Sequence, residues 1–134
     1  MIVLDSSFLI AWHNSLDVHH RRAAPVMQRF LDGEWGPGLL LEYVLLEVVT
    51  FIAIKRRLAA ASSVANLLLR AREIEFIPCS DFFLETLETF RTQVHGSLSF
   101  TDAAIVTVAR RSGGLVATFD TGFRGMEGIA IVPA

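Results

Sequence analysis

Ile2 to Leu4 is an unbroken apolar run that stops on Asp5, and the apolar run after Gly113-Gly114 stops in the same way on Asp120. Such runs, apolar on every position, are what strands buried on both faces require. Leu39 to Leu41, Ile74 to Pro78 and Ile129 to Val132 supply three further short apolar runs, each bounded by Gly, Pro or charged residues. Between them the spacing of apolar positions changes to a helical one. A short helix is expected from the Asp5-Ser6-Ser7 turn through Trp12, a second from Asp17 to Leu31, a long one from Glu42 to Leu58, and a shorter one from Ser62 to Glu73. A further helix carries Phe82, Phe83, Leu87 and Phe90 behind a Ser80 or Asp81 cap, and another begins at Ser99-Phe100-Thr101-Asp102 and runs to the glycine pair. Strands alternating with helices predict an α/β fold: a central, mainly parallel sheet of 4–5 strands with helices on both faces, as one domain over residues 1–134.

Composition narrows the class. With 52% hydrophobic and 19% charged residues the chain can bury a core and is not a disordered segment. Its mean hydropathy of +0.47 is high enough that some apolar surface is expected to meet a second chain, although a helix-rich, Ala- and Leu-rich core accounts for the value equally well. Cys79 is the only cysteine, so no internal disulfide forms, and a cytoplasmic location is expected. The longest apolar stretch, Tyr43 to Ile54, holds Glu47 and is too short to cross a bilayer. The net charge of -2 gives no overall attraction to nucleic acid, yet eleven of the twelve basic residues are Arg, several in pairs such as Arg21-Arg22 and Arg110-Arg111. Guanidinium groups fit phosphate in a bidentate fork, so a basic rim around an acidic centre is one reading; solvated helix-end charges are the other.

Parallel strands gather their carboxyl ends on one edge, where open α/β sheets bind ligands. That edge would hold Asp5 and Asp120, together with Asp102 at the tip of its helix. Each has an ordinary alternative: a helix cap for Asp5, a capping box with Ser99 for Asp102, a turn for Asp120. Glu47 is flanked at helical spacing by Tyr43, Val44, Thr50 and Phe51, an apolar face that ought to be buried. Glu42 falls in the first helical turn, where the macrodipole favours an acid, and is set aside. Together the four acids Asp5, Glu47, Asp102 and Asp120 have one shared explanation. An all-oxygen cluster suits Mg²⁺ or Mn²⁺, which can activate water against a phosphodiester. His13, His19, His20 and His95 are expected at the surface, and Trp12, Trp35 and Tyr43 in packing.

The pieces IVLDSS, YVLLEVV, LSFTDAAIV and LVATFDTGF, in this order and over essentially the whole chain, resemble the PIN domain family and, within it, the VapC-type toxins of toxin–antitoxin pairs. The resemblance implies a PIN-like three-layer sandwich and a metal-dependent ribonuclease acting on RNA. It implies Asp5, Glu47, Asp102 and Asp120 as catalytic and metal-binding residues, with Ser6 and Thr118 in support. It further implies a homodimer and a protein antitoxin that blocks the site. A non-catalytic RNA- or protein-binding module, and an RNA-processing nuclease that is not a toxin, are the alternatives. The haloacid-dehalogenase pattern needs Asp-x-Asp after the first strand and finds Asp5-Ser6-Ser7. A receiver domain needs a lysine after its fifth strand, but the only lysine, Lys55, lies in the long helix.

Overall fold

A computed structural model describes residues 1–134. Five parallel strands, β1 (Ile2–Leu4), β2 (Gly38–Leu41), β3 (Ile74–Ile77), β4 (Leu115–Ala117) and β5 (Ala130–Val132), form one sheet in the order β3-β2-β1-β4-β5. The sheet is entirely parallel. β1 and β2 lie inside it and every one of their residues is buried, which is why they read as continuous apolar runs. β3 is an edge strand and exposes Glu75 and Phe76.

Six helices connect the strands: α1 (Ser6–His13), α2 (His20–Leu31), α3 (Glu42–Lys55), α4 (Leu58–Arg70), α5 (Phe83–Arg91) and α6 (Phe100–Arg111). From β1 the chain moves outward through β2 to β3, then returns past β1 to β4. With right-handed crossovers, α1 to α4 cover one face and α5 with α6 cover the other, giving the three expected layers. The side chains of Phe8, Phe30, Phe123 and Ile105 lie wholly inside the core that results. No helix is long and apolar enough to cross a membrane.

Several boundaries differ from the sequence pattern, each for a local reason. α2 begins at His20 rather than Asp17, because the Asp17 carboxylate accepts the His19 N–H at 2.8 Å and holds a turn there. α3 stops at Lys55 and α4 starts at Leu58 rather than Ser62, since Arg56 and Arg57 leave helical backbone (φ -122°, ψ -91° and φ -169°, ψ 165°). Apolar periodicity continues through that corner, which hides it from a pattern reading. Gly114, by contrast, is a visible break with a strict cause. Its φ is +83°, and a Cβ there would collide with the Gly128 carbonyl, so the α6–β4 turn closes only on glycine.

Candidate active site

The sheet order reverses between β1 and β4, so the chain leaves those two strands in opposite directions and opens a crevice at their carboxyl ends. Register pairs Leu4 with Ala117, and the next residues on each strand, Asp5 and Thr118, therefore stand opposite one another. Asp5 is the N-cap of α1 as well as a member of the crevice, being only 4% exposed. Its Oδ1 accepts the Ser6 N–H at 2.8 Å, and its Oδ2 accepts both the Thr118 hydroxyl at 2.7 Å and the Ser7 hydroxyl at 2.8 Å. Three donors from two chain segments leave this carboxylate no rotational freedom.

Thr118 and Ser7 each pass the constraint on. Thr118 Oγ1 accepts the Asp120 N–H at 2.9 Å, and Ser7 Oγ accepts the Phe119 N–H at 3.0 Å. The strand end that carries Asp120 is thereby fastened to Asp5. Asp120 itself is exposed and caps a single turn, Thr121–Phe123, by accepting the Gly122 N–H at 2.8 Å. Ser7, not singled out from the sequence, does more here than Ser6, whose hydroxyl lies 3.5 Å from Asp5. An Asp cap followed two residues later by a serine able to reach back was the available signal.

Asp102 occupies the third position of α6 and completes the capping box with Ser99: it accepts the Ser99 N–H at 3.1 Å and Ser99 Oγ accepts its own N–H at 3.1 Å. Burial is the largest influence on this carboxyl and raises its pKa; the Ser99 hydrogen bonds oppose the rise, and the charges of Asp5 and Asp120 add to it. Tyr43 packs on Phe100 at a centroid separation of 6.1 Å and so brings the start of α3 to the start of α6. Glu47, one turn along α3, is exposed, contrary to the expectation of a buried face. The buried stripe is Val44, Val48 and Ile52, and Glu47 lies beside it rather than on it. Its carboxyl is nevertheless held above the usual range, first by loss of hydration where it leans against the crevice, then by the charges of Asp5 and Asp102. Glu42 stands apart, accepting the Cys79 N–H at 2.9 Å.

Four acids from four separate elements thus share one edge, and none of them forms an ion pair with a basic side chain. Their negative charge is left uncompensated by the chain itself. The side chains that meet at Asp5, its own carboxylate with the Ser7 and Thr118 hydroxyls, offer oxygen, the donor type that Mg²⁺ or Mn²⁺ takes. No three of the acids, alone or with His or Cys, converge into a direct ligand set. The histidines take other roles: His20 Nδ1 lies 2.8 Å from the Ala11 carbonyl, and His19 stacks on Phe119 at 4.4 Å. Beside Glu47 a shallow apolar groove is lined by Ile10, Leu46, Phe51 and Ile54.

The family model for the PIN domain matches residues 2–129. No curated protein matches the sequence significantly. Among solved structures, VapC20 of Mycobacterium tuberculosis, a sarcin–ricin loop cleaving toxin, is 24% identical with a TM-score of 0.75, the alignment covering 90% of each chain. A toxin–antitoxin complex from Klebsiella pneumoniae is 16% identical with a TM-score of 0.68, covering 97% of this chain and 96% of that one. VapBC2 of Rickettsia felis, solved on a DNA fragment from its promoter, is 14% identical with a TM-score of 0.67, covering 98% and 97%.

Proposed function

The chain belongs to the PIN domain family, and on that premise we propose that it is a Mg²⁺- or Mn²⁺-dependent endoribonuclease, the toxin of a toxin–antitoxin pair. The observation that carries the reading is the unpaired acidic edge, in which the buried Asp5 is aimed by Ser7 and Thr118 while Glu47, Asp102 and Asp120 surround it. Asp5, Glu47, Asp102 and Asp120 are the residues that would hold the ion, with Thr118 and Ser6 in support. When bound, it supplies positive charge to the transition state of phosphodiester hydrolysis and acidifies the attacking water.

The chain's own part is orientation. Thr118 and Ser7 hold Asp5 Oδ2 and the Ser6 N–H holds Oδ1, so both oxygens keep fixed directions, and the Thr118 bond to the Asp120 N–H fastens the second strand-end acid to the first. In the reaction the water oxygen bonds to phosphorus, the ester P–O bond breaks, and the proton passes to the departing ribose oxygen. The site lies open at the sheet edge, which suits a flexible, single-stranded or looped RNA rather than a small molecule enclosed in a cavity.

The toxin role draws on the fold likeness to VapC20 and to toxins solved with their antitoxins. The groove of Ile10, Leu46, Phe51 and Ile54 is the surface we assign to the antitoxin, since a chain seated there would reach Glu47. Leu46 and Ile54 are 60% and 76% exposed, apolar area that a partner would cover. Residues 1–134 act in this reading as one PIN-like unit, homodimeric and cytoplasmic, where RNA is at hand. The deciding experiment incubates purified protein with a mixed structured RNA, with Mg²⁺ or Mn²⁺, with EDTA, and with Asp5→Asn in place of the parent. Cleavage that needs both the metal and Asp5 is expected. Folded, inhibitor-free protein that binds metal and cuts nothing would make the chain a binding module instead.

A further inference from the structure

A pocket of about 430 Å³, lined by none of the groove's residues, is left unused by the proposed chemistry. It lies between the end of α5, the segment 92–98, the flank of α6 and the loop 122–127. Two of its walls are continuous with the site. Gly122, in one wall, donates its N–H to Asp120, and Leu98, in another, directly precedes Ser99 of the Asp102 capping box. Only three of its thirteen lining residues are hydrophobic, so its lining is suited to a polar ligand and not to a lipid.

Its charge is the reverse of the site's. Arg110 and Arg124 both line it, with His95, against the single carboxylate of Glu127. Arg110 donates Nε to the Glu127 carbonyl at 3.1 Å, which fixes the side chain and leaves both Nη groups without a protein partner. Arg124 makes no side-chain hydrogen bond and no ion pair, unlike Arg29 and Arg111, which are held by Glu34 and Glu85. Gly125, at φ +75°, turns the chain directly after Arg124. Two guanidinium groups with free forks beside hydroxyls and a little apolar surface match a nucleotide: phosphate on the arginines, base edge on Thr92 or Ser97, base face on Met126.

We propose that this pocket seats a nucleotide of the RNA strand flanking the bond to be cut, with Arg124 and Arg110 holding its phosphate. The inference rests on the ribonuclease reading and deepens it: the acidic edge would set the chemistry and the basic pocket the register of the strand. The same arrangement explains how a chain of net charge -2 holds a polyanion.

The test measures binding of a short, unstructured, fluorescein-labelled RNA to Asp5→Asn protein in Mg²⁺ over a salt series, and cleavage kinetics in the parent. Arg124→Glu is the key variant, because its side chain supports nothing in the fold; Arg70→Glu, at the end of α4, controls for overall charge. Arg124→Glu is expected to weaken binding about five- to tenfold and to flatten the log–log salt slope by about 0.7, the value for one lost contact to a single strand. In cleavage it raises KM by a similar factor with kcat within about twofold, while Arg70→Glu leaves both unchanged. Equal losses from Arg124→Glu and Arg70→Glu, or none from either, would overturn the pocket while cleavage by the parent left the nuclease reading standing. A protein that neither binds nor cuts RNA would overturn both.

Discussion

Thr118 donates its hydroxyl to Asp5 Oδ2 at 2.7 Å across two strands 113 residues apart in sequence, and accepts the Asp120 N–H with the same oxygen. One threonine therefore couples the two strand-end acids. Because the Thr118 and Ser7 protons both go to Asp5, the 3.2 Å approach of the two hydroxyls to each other carries no proton of its own and exists only because Asp5 draws both.

Thr118→Val keeps the shape and removes the hydroxyl, leaving the buried Asp5 short of a donor and the Asp120 N–H short of an acceptor. A loss of about 1–3 kcal/mol of stability is expected. Cleavage should fall at least tenfold through kcat, with Thr118→Ser restoring most of it. Melting curves and single-turnover rates decide the matter: a Thr118→Val variant as active as Thr118→Ser would show that the bond does not position the acids.

Asp5→Asn removes the charge at the centre of the site but keeps one acceptor oxygen for the Ser6 N–H. Cleavage is expected to drop by at least about a hundredfold, the scale of losing a group central to the transition state. Far-ultraviolet circular dichroism should be unchanged. Retained metal-dependent cutting of RNA by Asp5→Asn would remove Asp5 from the machinery.

Glu47 gives a pH prediction whose sign is fixed. Its folded-state pKa is raised, so its contribution to stability is fully present below the unfolded carboxyl pKa and is lost as pH rises through the folded value. Near neutral pH the charged Glu47 therefore works against the fold. Glu47→Gln should stabilise metal-free protein slightly near pH 7, the gain kept small by the residue's exposure, and should do nothing near pH 4. Mg²⁺ should raise Tm more in the parent than in the variant. An equal gain at both pH values would trace the effect to helix packing and not to charge.

Gly114→Ala should cost about 2–4 kcal/mol, combining a left-handed backbone with a Cβ driven into the Gly128 carbonyl. Gly113→Ala, at φ +100° but with open space around it, should cost less. Urea melts of the pair separate the two contributions, and equal losses would mean that backbone strain alone is at work.

Much of the architecture is legible in the sequence. The buried runs at Ile2–Leu4 and Leu39–Leu41, the Gly113-Gly114 break and the Ser99 to Asp102 capping box all express local rules, so each appears in sequence and structure alike. The corner at Arg56-Arg57 did not show, because backbone direction there changes without any change in apolar spacing. Glu47 departs from its expected burial. Its neighbours are apolar, but which side of α3 meets the sheet is set by Val44, Val48 and Ile52 together, and a position one step round from that stripe reaches solvent and the crevice at once.

The sequence by itself determined most of the elements and the parallel α/β class, since strand burial, helix periodicity and capping depend on residues close together in the chain. Only the tertiary structure decided that Ser7 and Thr118 share Asp5, that Glu47 is exposed, and that Arg110 and Arg124 face one pocket with their forks free. Those relationships join residues far apart in sequence. They follow from the β1–β4 register and from the packing of α3 and α6 at the sheet's edge, which no local rule contains.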